Sequence, residues 1–194
     1  MKKQYVFLII LLVLIILIPQ YYKKKQYEKN KLDSEVRMED FSTGLDYYSL
    51  AFDKYFFEEK PEEALILVNK AFEIFPKDLP SYVLMKANAY ALSNIYQLRG
   101  LIYQDLGYIE EAIDNYTRDI DLNANISRVT SAYVNRASAK ILVGDYEGAI
   151  NDLDKSLELS PGYLVAYYER GIAKIKYGKK KSGCLDLSKS FIAP

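Results

Sequence analysis

Three arginines are the first candidates for chemistry in this chain. Arg99, Arg136 and Arg170 recur at equivalent places in a repeating pattern. A guanidinium is a planar fork of donors, so a column of them suits bidentate recognition of carboxylates or phosphates. Two acids recur alongside: Asp152 and Asp186 occupy equivalent positions, and the preceding copy has Asn115 there. That coincidence favours a structural reading, in which each arginine pairs inside its repeat with the acid of the partner helix. Little else in the chain suggests a reaction. Histidine is absent, which removes His-dependent triads, zinc proteases of the His-ligated type and histidine general bases. The one cysteine, Cys184, cannot form an internal disulfide or a Cys-rich metal site. Next to a small-residue position on a helix, it reads as a packed thiol rather than a nucleophile. Gly-rich phosphate loops, paired-cysteine motifs and metal-ligand clusters are missing, so the sequence argues against an enzyme and calls for no cofactor and no metal. Lys174, Lys176 and Lys179-Lys180-Lys181 read as a solvated helix junction.

The elements that must position these residues follow from the pattern itself. Of the 194 residues, 50% are hydrophobic and 27% charged, enough apolar material for a folded core. Lys+Arg and Asp+Glu balance at 26 each, which argues against a dedicated nucleic-acid binder. The segment from Ser93 to Ile126 aligns without gaps with that from Thr130 to Tyr163: Tyr96 with Tyr133, Gly100 with Ala137, Gly107 with Gly144, Ala112 with Ala149, Ile113 with Ile150, Leu122 with Leu159. A third copy begins at Leu164, with Tyr167, Gly171, Gly178, Gly183 and Leu187 in register, and a weaker one covers 45–78 through Tyr48, Ala51, Tyr55, Ala64, Ala71 and Pro76. Each unit reads as two amphipathic helices around a Gly-containing turn, and Pro76 and Pro161 end the second helix. Two interruptions break the period. Residues 79–92 either lengthen the first helix of the second copy or form a short extra helix, and Ser127-Arg128-Val129 reads as a longer loop.

This spacing resembles the tetratricopeptide repeat, whose pattern runs over about 34 residues. The best copy is Tyr133-Val-Asn-Arg-Ala137, Gly144-Asp-Tyr-Glu-Gly-Ala149 and Leu157-Glu-Leu-Ser-Pro161, and Glu62-Glu-Ala-Leu65 and Glu110-Glu-Ala-Ile113 are further fragments typical of it. The resemblance covers 45–194, with copies at 45–78, 93–126, 130–163 and 164–194, and implies an all-α fold: a right-handed superhelical stack of helix-turn-helix hairpins, an α-solenoid. It also implies a concave groove for a protein or peptide partner, lined here by Phe56, Phe57, Gln97, Leu101, Val134, Ile141, Leu142, Tyr168, Ile172 and Ile175, apolar enough for an amphipathic helix or extended peptide. Some relatives clamp the terminal carboxylate of a chaperone tail. The matching positions here are Gln97, Leu101, Asn135, Val165 and Glu169, of which only Asn135 fits, and Glu169 repels a carboxylate. Association with a second copy of the chain is left open.

The N-terminus carries a different signal. From Tyr5 to Ile18 the chain is uninterruptedly apolar, followed by Pro19, Gln20, Tyr21, Tyr22 and the cluster Lys23-Lys24-Lys25. As a helix, the stretch 5–22 spans roughly 27 Å, close to a hydrocarbon core of about 30 Å, with tyrosines where an aromatic belt sits. We read 1–22 as a single-pass anchor in a lipid bilayer and 23–44 as a charged juxtamembrane linker. The rival is a secretory signal, but small residues of a processing site are missing before Ser34. The lysine distribution favours a cytoplasmic main domain, whereas the Met1-Lys2-Lys3 start resembles an export signal, so the side stays open.

Overall fold

The computed structural model describes residues 42–74 and 82–191, with side chains in the second stretch from residue 89 onward. The apolar run 5–22 and residues 23–41 of the linker lie outside the described residues; residues 42–44, read as the end of that linker, are already helical. Among those described, no helix is long and apolar enough to cross a membrane.

Among the described residues every regular element is a helix: α1 (42–56), α2 (Pro61–Ile74), α3 (Tyr82–Asp105), α4 (Ile109–Leu122), α5 (Ile126–Leu142), α6 (Tyr146–Leu159), α7 (Leu164–Lys176) and α8 (Lys180–Ser190). Pairs α3–α4, α5–α6 and α7–α8 are hairpins closed by the same device. Gly107, Gly144 and Gly178 take φ of 84°, 82° and 91°, a left-handed conformation that a side chain would strain. Each following residue then donates its N–H back to the last helical turn: Tyr108 to the Tyr103 carbonyl at 2.8 Å, Asp145 to Lys140 at 2.9 Å, Lys179 to Lys174 at 2.7 Å. At the bend between α1 and α2, Glu59 has a φ of 53°.

Small residues let the paired helices meet. Ala64, Ala112, Ala137 and Ala149 are fully buried. At the α7–α8 crossing two glycines meet: a Cβ on Gly183 would lie 2.7 Å from the Gly171 carbonyl oxygen. Around these contacts sits the main core, Val134, Ala137, Ile141, Ala149, Leu153, Leu157, Ala166 and Ala173, with Tyr146, Ile150, Tyr163 and Tyr167 packed against it. A second cluster of Ala112, Tyr116 and Ala139 joins the α3–α4 hairpin to α5.

Each helix packs on the next, from α2 through α8; in addition α3 touches α5 and α5 touches α7. First helices α3, α5 and α7 thus line up side by side, whereas among the described residues the backbones of the second helices α2, α4, α6 and α8 do not approach one another. Stacking of this kind is how hairpins that cannot bury their own apolar faces obtain a continuous core.

Two details resolve or correct the sequence reading. Helix runs unbroken from Tyr82, so the inserted residues lengthen α3 to 24 residues; between Ser81 and Leu106 no proline intervenes to stop it. Ser127, Arg128 and Val129 are not loop: they form the first turn of α5. Asn125 caps that turn, its Oδ1 accepting from the Arg128 N–H at 2.8 Å, and Val129 is buried beneath it.

Candidate functional site

The arginine column is built from the helix register. Arg136 on α5 faces α6 and holds both carboxylate oxygens of Asp152, Nε to Oδ2 at 2.9 Å and Nη2 to Oδ1 at 2.7 Å. Arg170 on α7 does the same to Asp186 on α8, at 2.8 Å for both bonds. A lysine one turn later adds a second cation to each acid: Lys140 to Asp152 at 2.8 Å, Lys174 to Asp186 at 2.7 Å. Each arginine also reaches back to the preceding hairpin, Arg136 donating to Thr117 Oγ1 at 3.0 Å and Arg170 to Asp154 at 2.6 Å. Burial alone would push the Asp186 carboxyl up, but the bonds from Arg170 and Lys174 outweigh it and hold the group below its ordinary value. These are internal braces within and between repeats, as the pairing of Asp152 and Asp186 in the sequence suggested. Lys174 therefore leaves the solvated lysine cluster.

Arg99 on α3 is different. It keeps the backward bond, Nε to Asn69 Oδ1 of α2 at 2.9 Å, and its guanidinium lies 4.5 Å above the Phe72 ring. Asn115, where an acid would stand, is 4% exposed and turns its Nδ2 to the Glu111 carbonyl at 2.7 Å.

The first-helix positions divide. Val134 and Ile141 are 5% and 7% exposed and belong to the main core, so they are withdrawn from the partner surface. The reason is the stacking itself: on the central first helix α5, positions that open to solvent on an end repeat are covered by α6 and α7. Phe56, Phe57, Leu142 and Tyr168 are exposed, and Leu101, Ile172 and Ile175 are half-buried. Gln97 is half-buried and accepts from Arg128 Nη1 at 3.2 Å. Of the clamp positions, Glu169 is half-buried, and loss of solvent pushes its carboxyl above the ordinary range.

A group that the sequence did not flag lies behind Gln97. Asp119 on α4 is 1% exposed, accepts a short hydrogen bond from the Ser93 hydroxyl, and leaves Oδ2 without a partner. Burial pushes its carboxyl up to about 6, opposed by Ser93, Gln97 and Arg128. The next repeat carries Ser156 there, bonded to the Thr130 carbonyl at 3.1 Å, so the exchange of a serine for an acid was the available signal. Cys184 is exposed, which corrects its reading as a packed thiol: it falls one residue past the buried Gly183 and turns outward. No cluster of three or more acidic, cysteine or histidine residues able to hold a metal occurs among the described residues.

Comparison with known proteins identifies two of the hairpins. The tetratricopeptide repeat model matches residues 93–126 and 130–163. These hairpins are tetratricopeptide repeats. Human tetratricopeptide repeat protein 36 is 36% identical over 70 residues, 36% of this chain and 35% of the relative. Human sperm-associated antigen 1 is 36% identical over 83 residues, 43% of this chain and 8% of the relative. The chain thus spans about a third or less of the length of these curated relatives. A tetratricopeptide repeat protein from Parabacteroides merdae superposes with a TM-score of 0.59 at 23% identity, over 76% of this chain and 52% of that one, which shows a shared fold. Tetratricopeptide arrays act as protein–protein interaction modules.

Proposed function

We propose that this chain is a membrane-anchored interaction scaffold, in which residues 5–22 hold it to a bilayer and the first-helix surface of the tetratricopeptide array binds a peptide or helix of a protein partner. It would act by recruitment, holding that partner near the membrane without chemistry of its own. The observation that carries the binding half is the exposure of Phe56 on α1, of Phe57 just past it and of Tyr168 on α7, with Leu101 on α3 and Ile172 on α7 half-exposed beside them. Apolar side chains left open on first helices suit an amphipathic ligand read through spaced anchors.

The anchoring half is carried by the sequence of 5–22 and its lysine flank. Its test is a Lys29→Cys, Cys184→Ser variant treated in intact cells with a membrane-impermeant maleimide, followed by intact mass. Full-length protein in the membrane fraction, labelled either before or only after lysis, supports the anchor and fixes the side. A product lacking about its first twenty residues would overturn it in favour of an exported soluble repeat protein acting in envelope or secretion assembly. That second reading is favoured by Met1-Lys2-Lys3 ahead of the apolar run.

A further inference from the structure

The arginine column is closed in two repeats and open in one. Beside Arg136 and Arg170 stand an acid and a lysine, Asp152 with Lys140 and Asp186 with Lys174. Beside Arg99 the equivalent positions hold Asn115 and Tyr103. Among the described residues no carboxylate lies within ion-pairing distance of Arg99, whose single hydrogen bond runs from Nε to Asn69. Phe72 and Tyr103 hold the guanidinium plane, at 4.5 and 5.7 Å from the ring centroids, and leave its Nη edge uncommitted. A cavity of about 670 Å³ opens there, lined by Phe72, Arg99, Tyr103, Glu110, Asp114 and Asn115, with Glu111 and Arg118 completing the wall. It lies between the second helices α2 and α4, whose described backbones do not approach one another, away from the first-helix surface.

We propose that this cavity binds an acidic side chain of a protein partner, one flanked in its own sequence by a basic residue. The carboxylate takes the place beside Arg99 that Asp152 and Asp186 fill in the following repeats, as a bidentate pair on a guanidinium already oriented by its aromatic neighbours. The basic neighbour follows from the rim. Glu110 and Glu111 have no cationic partner among the described ion pairs, and Asp114 is held by Arg118 at 2.8 Å. A carboxylate is the anion that the equivalent Arg136 and Arg170 already hold through Nε and Nη2. The site is separate from the first-helix surface and does not depend on what binds there.

The test uses the full chain in detergent micelles, labelled with 15N-arginine, and a blocked peptide of sequence Ala-Lys-Glu-Lys-Ala. The Arg99 Nε–H signal is expected to shift saturably with a Kd on the order of 1 mM, and the same peptide with Gln in place of Glu is expected to bind at least fivefold more weakly. In Arg99→Gln, which lacks this reporter, binding is read from the broadening of the peptide's own signals and should be lost. Asn115→Asp is the sharper variant, because it supplies the internal carboxylate of the other repeats: it should weaken peptide binding at least tenfold while the thermal midpoint is kept or raised. An unmoved Arg99 signal at roughly 10 mM peptide, equal binding of the Gln peptide, or undiminished binding by a folded Asn115→Asp variant would each overturn the proposal. Shifts with sodium glutamate but none with the blocked peptide would overturn the assignment to a protein partner.

Discussion

Two surfaces of this array share a sequence signature and differ in what it means. The arginine column and the apolar first-helix positions both recur at the repeat period, and recurrence alone would make either a ligand site. In the structure most of the column is internal, with Asp152 2% and Asp186 5% exposed beneath their arginines and lysines. The first-helix positions split instead: Val134 is 5% exposed, whereas its equivalent Tyr168, one repeat on, is 44% exposed. Period establishes that positions are equivalent in the helix. Whether they are covered depends on which neighbours the stack supplies, and that changes from the middle of the array to its end.

The strongest way to break this contrast is to remove one acid of the column. Asp152→Ala leaves Arg136 and Lys140, 17% and 19% exposed in their side chains, without their shared partner. The expected cost is about 3 kcal/mol or more, read by denaturant unfolding. The 47% exposed Asp154, which meets only Arg170, should cost under about 1 kcal/mol when replaced by Ala. Equal effects would mean that the column is not a set of buried braces.

Asp119 tests the other surface from beneath. Its carboxyl is raised in the folded state to about 6 from an ordinary 3.8, so the folded protein prefers it neutral. The penalty is absent below the unfolded value, grows as pH rises through the interval between the two, and is complete above the folded one. Asp119→Asn should therefore stabilise the chain at pH 7 by up to about 3 kcal/mol, with the gain vanishing near pH 4. Thermal midpoints of both proteins across that range provide the check, and a gain independent of pH would remove Asp119 as the cause.

The equivalent pair Val134 and Tyr168 offers a smaller comparison. Val134→Ala should cost about 2 kcal/mol for the two methyl groups it removes from the core. Tyr168→Ala should cost about 0.5 kcal/mol. Comparable in size is Glu59→Gly, which relieves a side chain held at a φ of 53° and should add about 0.5 kcal/mol. A loss there would show that the Glu59 side chain supports the α1–α2 bend.

The helical hairpins were legible because glycine and alanine sit where chain geometry demands them: Gly107, Gly144 and Gly178 at positive φ, Gly171 and Gly183 at a backbone crossing. Asp152 and Asp186 were legible as partners because they recur with their arginines. The helical start at Ile126 was missed because the Asn125 cap carries the signal and the period counts against it. Asp119 and the Arg99 cavity escaped for the opposite reason: each is a departure from the repeat, and a departure shows its consequence only when the neighbours that fail to compensate are seen in space.

The most direct test of the interaction account is site-specific photo-crosslinking in intact cells. A photoreactive residue placed at Leu101 or Tyr168, on the first-helix surface, should join the chain to the same discrete partner band, and one at the exposed Leu185 of α8 should not. Crosslinks from Leu185 alone, or none from either first-helix position, would contradict the assignment of that surface to partner binding.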